Sequence, residues 1–392
     1  MATFTGSAGN DAVTGAFDSM YGLDGDDRLF TTTSNGQIDG GLGNDIIVQS
    51  GASNVSLYGG DGTDVLINVN GFLSFMFGGV SDDLISGANF LFATNPNGGD
   101  LVATTHALSN DYMEGGRGKD AIYGFEGDDI IYGGDGDDNG TLNITAGGVG
   151  GVSGFSVRAG LFGGDGSDYV DGGRGDDTVN GGTGTDALYG GEGNDSVDGG
   201  DGNDFLDGGQ GDDFMTGDSF FSATTGDDKM YGGDGIDTMK GGGGVDVLDG
   251  GNGNDALFGG AGNDLLEGRQ GDDSLQGDGG KDVLIGGDGA DKFVFADKAD
   301  SVKGARDVIK DFSHAQHDHI DFSKIDANDK KAGDQAFKYL GDAAFTHHKG
   351  ELHEIQLANK TFVEGDIDGN GKADFQIEVT GHLHLVKADF IL

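Results

Sequence analysis

A nine-residue period sets what this chain can fold into. From Gly163 it reads GGDGSDYVD, GGRGDDTVN, GGTGTDALY, GGEGNDSVD, GGDGNDFLD and GGQGDDFMT, ending at Thr216. After an interruption at 217–231 it resumes at Gly232 with GGDGIDTMK, GGGGVDVLD, GGNGNDALF, GGAGNDLLE, GRQGDDSLQ, GDGGKDVLI and GGDGADKFV, ending at Val294. The sixth position is always Asp: Asp168, Asp177, Asp186, Asp195, Asp204, Asp213, Asp237, Asp246, Asp255, Asp264, Asp273, Asp282 and Asp291. The eighth is always apolar, from Val170 to Phe293. A generic Gly-rich linker has no reason to keep either position.

The spacing predicts a six-residue Gly-rich turn followed by a three-residue strand. The eighth residue points inward and stacks in a ladder, while the seventh and ninth point outward. Two nonapeptides then make one coil of a right-handed parallel β-roll. Gly serves the turns because they require positive φ and close backbone approach. Each turn offers carbonyl oxygens and one carboxylate, the hard ligands that suit Ca2+. An ion held between successive coils takes Asp residues two repeats apart. The expected pairs include Asp168 with Asp186, Asp177 with Asp195, Asp237 with Asp255 and Asp246 with Asp264.

Composition supports cations as structural parts. Of 392 residues, 83 are Gly, 69 are acidic and 22 basic, a net charge of −47. Gly carries the largest backbone entropy cost, and uncompensated like charge opposes compaction. A polyanion without a basic stripe does not bind nucleic acid. With no Cys, disulfides, thiol catalysis and Cys-ligated zinc are excluded. No apolar run reaches the length of a membrane-spanning helix. The first residues, Met1-Ala-Thr-Phe-Thr-Gly6, carry neither a basic region nor an apolar core, so no cleaved signal peptide is expected.

Residues 1–162 carry the turn intermittently, opening at Gly6, Gly22, Gly40, Gly59 and Gly78, and again at Gly115, Gly124 and Gly133. The expectation is an irregular β-roll or parallel β-helix with inserts at 88–110 and 139–160. Asp45, Asp64, Asp120 and Asp129 are its candidate calcium ligands. The apolar run Phe72-Leu-Ser-Phe-Met-Phe77 reads as a buried strand.

With these motifs in view, the sequence resembles the RTX (repeats-in-toxin) family, whose nonapeptide binds calcium. After Phe295 the repeat stops. The text Asp307-Val-Ile-Lys-Asp-Phe312, Asp318-His-Ile-Asp-Phe-Ser-Lys-Ile-Asp326, Gly365-Asp-Ile-Asp-Gly-Asn-Gly-Lys-Ala-Asp-Phe375 and the ending Ala388-Asp-Phe-Ile-Leu392 resemble the C-terminal domain of serralysin-type secreted metalloproteases. His317 departs from that pattern, which has Gly there. The resemblance implies that residues 295–392 form a β-rich cap on the roll. It also implies a Gram-negative extracellular protein exported by ABC-type (type I) secretion machinery on an uncleaved C-terminal signal. The zinc-protease motif is not met, since His353-Glu354 is followed by Ile-Gln-Leu and the second His is missing.

Other constellations are weaker. Asp366-x-Asp368-x-Asn370-x-Lys372-x-Asp374 has calcium-loop spacing, but its twelfth position is Ile377 instead of Glu. His314/His317/His319 and His382/His384 offer imidazoles to a transition metal, with solvated surface His as the ordinary reading. Gly217-Asp-Ser-Phe220 lacks the setting of a serine hydrolase. The leading expectation is a secreted calcium-binding structural or adhesive protein of a surface or matrix, with cell-surface polysaccharide or further copies as partners. One alternative is a carbohydrate-active enzyme on residues 1–162, resembling alginate epimerases, with Asp64, Asp100, His106 and Asp111 to screen. The other is a membrane-active signalling protein resembling the secreted rhizobial nodulation RTX protein.

Overall fold

The computed structural model describes residues 3–17, 19–32, 36–50, 55–69, 75–80, 83–86, 112–117, 121–126, 130–135, 141–144, 155–158, 160–218, 225–328 and 335–392. The chain divides into two compact units, Met1–Phe205 and Leu206–Leu392.

In the first unit every strand of the roll pairs in parallel with the strand two along. Tyr169–Arg174 lies between Ile130–Asp135 and Ala187–Glu192, with Val170 opposite Leu188. On the second sheet Gly160–Gly166 pairs with Thr178–Gly184, which pairs with Ser196–Gly202. The same two-sheet alternation runs back through the irregular region. Ser19–Asp24, Gln37–Leu42, Ser56–Asp61, Phe75–Val80 and Tyr112–Arg117 form one ladder. Arg28–Thr31, Ile46–Ser50, Val65–Val69 and Leu84–Ser86 form the other. This is a parallel β-solenoid with two strands per coil. A separate antiparallel hairpin joins Thr141–Ile144 to Phe155–Arg158.

The inward ladder is as the period predicts. Met20, Leu57, Met113, Val170 and Leu188 on one sheet, and Leu29, Leu66, Ile122 and Val179 on the other, are fully buried. Each such side chain contributes roughly 1.5–3 kcal/mol on burial. Within the apolar run near residue 75, Met76 is buried but Phe75 is 39% exposed, because alternation sends adjacent side chains to opposite faces. Residues 72–74 of that run lie outside the described residues.

The strands are longer than three residues. Tyr169–Arg174 spans positions seven to nine of one repeat and one to three of the next, and pairing continues from Gly173 to Gly191 and from Arg174 to Glu192. The chain bends at the position-one Gly and resumes its ladder, so the true turn is only about positions four to six. Gly173 holds φ +102° and Gly175 φ +117°, which is what lets the ladder survive the bend.

In the second unit the alternation continues through Lys229–Asp234, Val247–Asn252, Leu265–Gln270, Val283–Asp288 and Val308–Ile309. The facing sheet runs from Phe214–Asp218 through Thr238–Gly243, Ala256–Gly262, Ser274–Gly280 and Lys292–Val294 to His319–Asp321. An antiparallel meander, Glu351–Gln356, Lys360–Asp366 and Phe375–Thr380, then covers the edge of Val308–Ile309 in parallel. Phe390–Ile391 covers His319–Asp321. The meander packs on rings not found in the repeats. Phe322 stands 5.2 Å from Phe375, 5.7 Å from Phe295 and 6.2 Å from Phe390, centroid to centroid. His353-Glu354 lies on a strand, where the helical spacing of a zinc protease does not exist. Among the described residues no helix is long and apolar enough to cross a membrane.

Candidate metal centres

The position-six aspartates form columns inside the turns. Each is buried, with 0–3% exposure from Asp168 to Asp291. Along these columns a backbone N–H donates to the Oδ1 of the Asp one coil further on. Asp168 donates to Asp186 and Asp177 to Asp195, both at 2.8 Å, and Asp186 donates to Asp204 at 2.9 Å. In the second unit Asp237 donates to Asp255, Asp246 to Asp264 and Asp255 to Asp273, each at 2.9 Å. Asp264 donates to Asp282 at 2.8 Å and Asp273 to Asp291 at 3.0 Å. The residues expected to share ions are therefore adjacent along the stack.

The second oxygen differs. Oδ2 of Asp45, Asp64, Asp186, Asp237, Asp246, Asp255, Asp264, Asp273, Asp282 and Asp291 is buried and accepts no hydrogen bond. It lies against the position-one Gly of its own repeat and, in all of these but Asp282 and Asp291, beside the carbonyl oxygen of the Gly one coil on. A Cβ on Gly259 would meet Asp264 Oδ2 at 2.6 Å and the Gly277 carbonyl at 2.8 Å. Gly181, Gly232, Gly241 and Gly268 repeat this arrangement with Asp186, Asp237, Asp246 and Asp273. So do Gly40 and Gly59 with Asp45 and Asp64, which gives the irregular region the same cradle. A buried anion with an idle oxygen is a costly arrangement unless a cation completes it. Burial pushes Asp186, Asp195, Asp237, Asp246, Asp273 and Asp282 up to about 7, and neighbouring carboxylates add to it. Asp64 is pushed to about 8. The donor set of carboxylate and main-chain oxygens fits Ca2+.

The columns extend beyond the regular repeats. Asp27 donates to Asp45, Asp45 to Asp64 and Asp64 to Asp83. Asp228, within the interruption, donates to Asp246 at 2.9 Å. Asp282 donates to Asp307 and Asp291 to Asp318, across 25 and 27 residues. Asp27 and Asp83 close the turns that open at Gly22 and Gly78 but stand outside the expected ligands, and Asp228, Asp307 and Asp318 escape the Gly pattern altogether. The signal that finds them is Asp-x-apolar, as in Asp228-Lys-Met230, Asp307-Val-Ile309 and Asp318-His-Ile320. Asp120 and Asp129 lie outside the described residues, as do Asp100, His106 and Asp111. Asp366, Asp368 and Asp374 do cluster, with ligand atoms within 4.8 Å. Both oxygens of Asp366 hold loop N–H groups, from Gly369 and Gly371, and Oδ2 of Asp374 holds those of Ile367 and Asp368. The loop is thus closed by its own backbone.

Glycine at the turns is open to a direct check. Gly253 has φ +146° and its Cβ would overlap the Gly235 carbonyl oxygen, whereas a Cβ on Gly279 would meet nothing nearer than 3.8 Å. Gly253→Ala is expected to lower calcium-loaded stability by about 3 kcal/mol, from strain plus backbone displacement. Gly279→Ala is expected to stay within about 1 kcal/mol. Denaturant melts of both variants in excess calcium decide it.

The RTX calcium-binding nonapeptide repeat matches this chain at residues 21–48, 47–71, 108–139, 161–188, 189–221, 222–257 and 258–293, together more than half its length. The chain belongs to this family, and it is a calcium-binding β-roll protein. Among solved structures, a subunit of the Azotobacter vinelandii mannuronan C5-epimerase, determined in solution, is similar. It is 26% identical over 38% of this chain and 80% of that one, with a TM-score of 0.30. No curated protein matches the chain.

Proposed function

We propose that the position-six aspartates hold the calcium ions, and that the protein is a secreted, non-enzymatic scaffold or adhesin that folds on extracellular calcium. The ligands so assigned are the thirteen Asp residues from Asp168 to Asp291 in the two regular blocks, with Asp45, Asp64, Asp120 and Asp129 in the irregular region. The observation that carries this reading is the run of buried carboxylates Asp237, Asp246, Asp255, Asp264, Asp273, Asp282 and Asp291, with Asp186 in the first unit, in which one oxygen is engaged and the other idle. Extracellular calcium modules bind with Kd of roughly 10⁻⁴–10⁻³ M, so cytosolic calcium leaves such a chain unfolded and exportable. Outside the cell, a metal that binds only the folded state stabilises it. In this reading residues 1–162 and 163–294 are scaffold, and 295–392 close the roll and carry the address for type I export.

Adhesion to polysaccharide is supported by the outer face of the first unit. Half-exposed Tyr132, Tyr169, Tyr189 and Phe205 form a row of rings with centroids 5.7, 5.2 and 5.6 Å apart. The test is sedimentation velocity of the calcium-loaded protein, alone and with neutral and anionic polysaccharides. Calcium-dependent assemblies or co-sedimentation with a polymer are expected. A monomer that stays in the supernatant with every polymer, or that turns one over, overturns the scaffold reading.

A further inference from the structure

A cleft of about 470 Å³ in the second unit is lined by four imidazoles: His314, His317, His319 and His384. They come from two segments far apart in sequence, the loop before His319–Asp321 and the stretch before the last strand. We propose that this cleft is a site for a divalent transition-metal ion, beside Asp318 at the end of one Asp column.

The first support is how two of the rings are held. His314 Nδ1 lies 2.9 Å from Oδ1 of Asp389, a carboxylate only 8% exposed whose Oδ2 takes the Val386 N–H. His384 Nδ1 lies 2.5 Å from Oε1 of Glu354, fully buried, whose Oε2 takes the Leu385 N–H. Each carboxylate is itself fixed by backbone and engages Nδ1, which leaves Nε2 to coordinate. A carboxylate behind the imidazole is the usual support of a metal-ligating His, because it sets the tautomer and raises ligand basicity. Here it occurs twice, independently, around one cleft.

The second support is His317. It holds φ +71°, left-handed backbone that favours Gly. A strained residue kept at such a place points to a use for its side chain. His317 and His319 make no side-chain hydrogen bond among the described residues, so both rings are uncommitted. Neutral imidazole suits zinc, copper and nickel, whereas calcium prefers oxygen. No three of the cleft's ligand atoms yet lie within 4.8 Å of one another. His314 is 40% and His384 66% exposed, so closing the ligand set around an ion rearranges surface rings without unpacking a core.

The experiment titrates Co2+ into the full chain saturated with calcium, which occupies the oxygen sites. Visible d–d absorption saturating near one equivalent, and reversed by Zn2+, is expected. The double variant His314→Gln/His384→Gln should weaken cobalt binding by at least 10-fold. His317→Gly, which suits the backbone at φ +71°, should weaken it while leaving sedimentation in calcium unchanged. Absence of the bands, or bands of equal affinity in the double variant, overturns the proposal.

Discussion

Stripped of calcium at pH 8, the protein is expected to sediment as an expanded chain, and acidification to pH 5.5 in chelator should drive it back toward a compact form. The argument rests on the buried carboxylates. Desolvation lifts Asp186, Asp195, Asp237, Asp246, Asp273 and Asp282 from 3.8 to about 7. At 1.36 kcal/mol per pKa unit, each costs on the order of 4 kcal/mol when ionised in the metal-free fold. Discounted several-fold for relaxation and water entry, six such groups still rival the 5–15 kcal/mol by which domains are stable. The sign follows from the raised pKa. Protonation stabilises the fold fully below the unfolded value near 4, and that contribution is lost as pH rises through about 6–8. With calcium present the slope reverses, because the ligands must be ionised and protons compete with the metal. Sedimentation and circular dichroism at pH 8 and 5.5, each with chelator and with about 10 mM calcium, an excess over the extracellular range, give all four corners. A compact species in chelator at pH 8 would contradict the account.

The roll was legible because its two determinants are local and periodic. Asp at position six and an apolar residue at position eight specify the turn and the inward ladder, and both recur with every coil. Strand length was not legible, since positions one to three are Gly-rich and lack strand propensity. They join the ladder only because positive φ at Gly173 and its equivalents keeps the register around the bend. The reach of the Asp columns was half legible. Asp307 and Asp318 keep the pairing across 25 and 27 residues, so inserted loops hide the period while the Asp-x-apolar signature persists. The histidine cleft needed the fold. His314, His317 and His319 are neighbours in sequence, but Asp389, Glu354 and His384 reach them only through the closing meander and the last strand.

Asp264→Asn is expected to move metal-free and calcium-loaded stability in opposite directions. In the wild type, Asp264 Oδ1 accepts the Asp246 N–H at 2.9 Å, and Oδ2 is buried and idle beside Gly259 and the Gly277 carbonyl. The amide keeps the accepting oxygen. It replaces the idle anionic oxygen by an NH₂ that can donate to the Gly277 carbonyl. Burial lifts the native carboxyl to about 6, so at pH 8 the neutral side chain removes a charge that the metal-free fold disfavours. Stability in chelator should therefore rise by roughly 1–2 kcal/mol. Calcium binding should suffer, because affinity at oxygen sites is set by the count of charged ligands. A loss of 1–2 kcal/mol at that ion corresponds to a calcium midpoint roughly 5- to 30-fold higher. Asp288→Asn is the control: it changes charge equally, but its side chain is exposed, and neither quantity should move by more than about 0.5 kcal/mol. Equal midpoints for the wild type and Asp264→Asn would remove the position-six carboxylates from the ion sites. A higher midpoint without the gain in chelator would mean that the carboxylate binds calcium but that its burial is not what unfolds the metal-free chain.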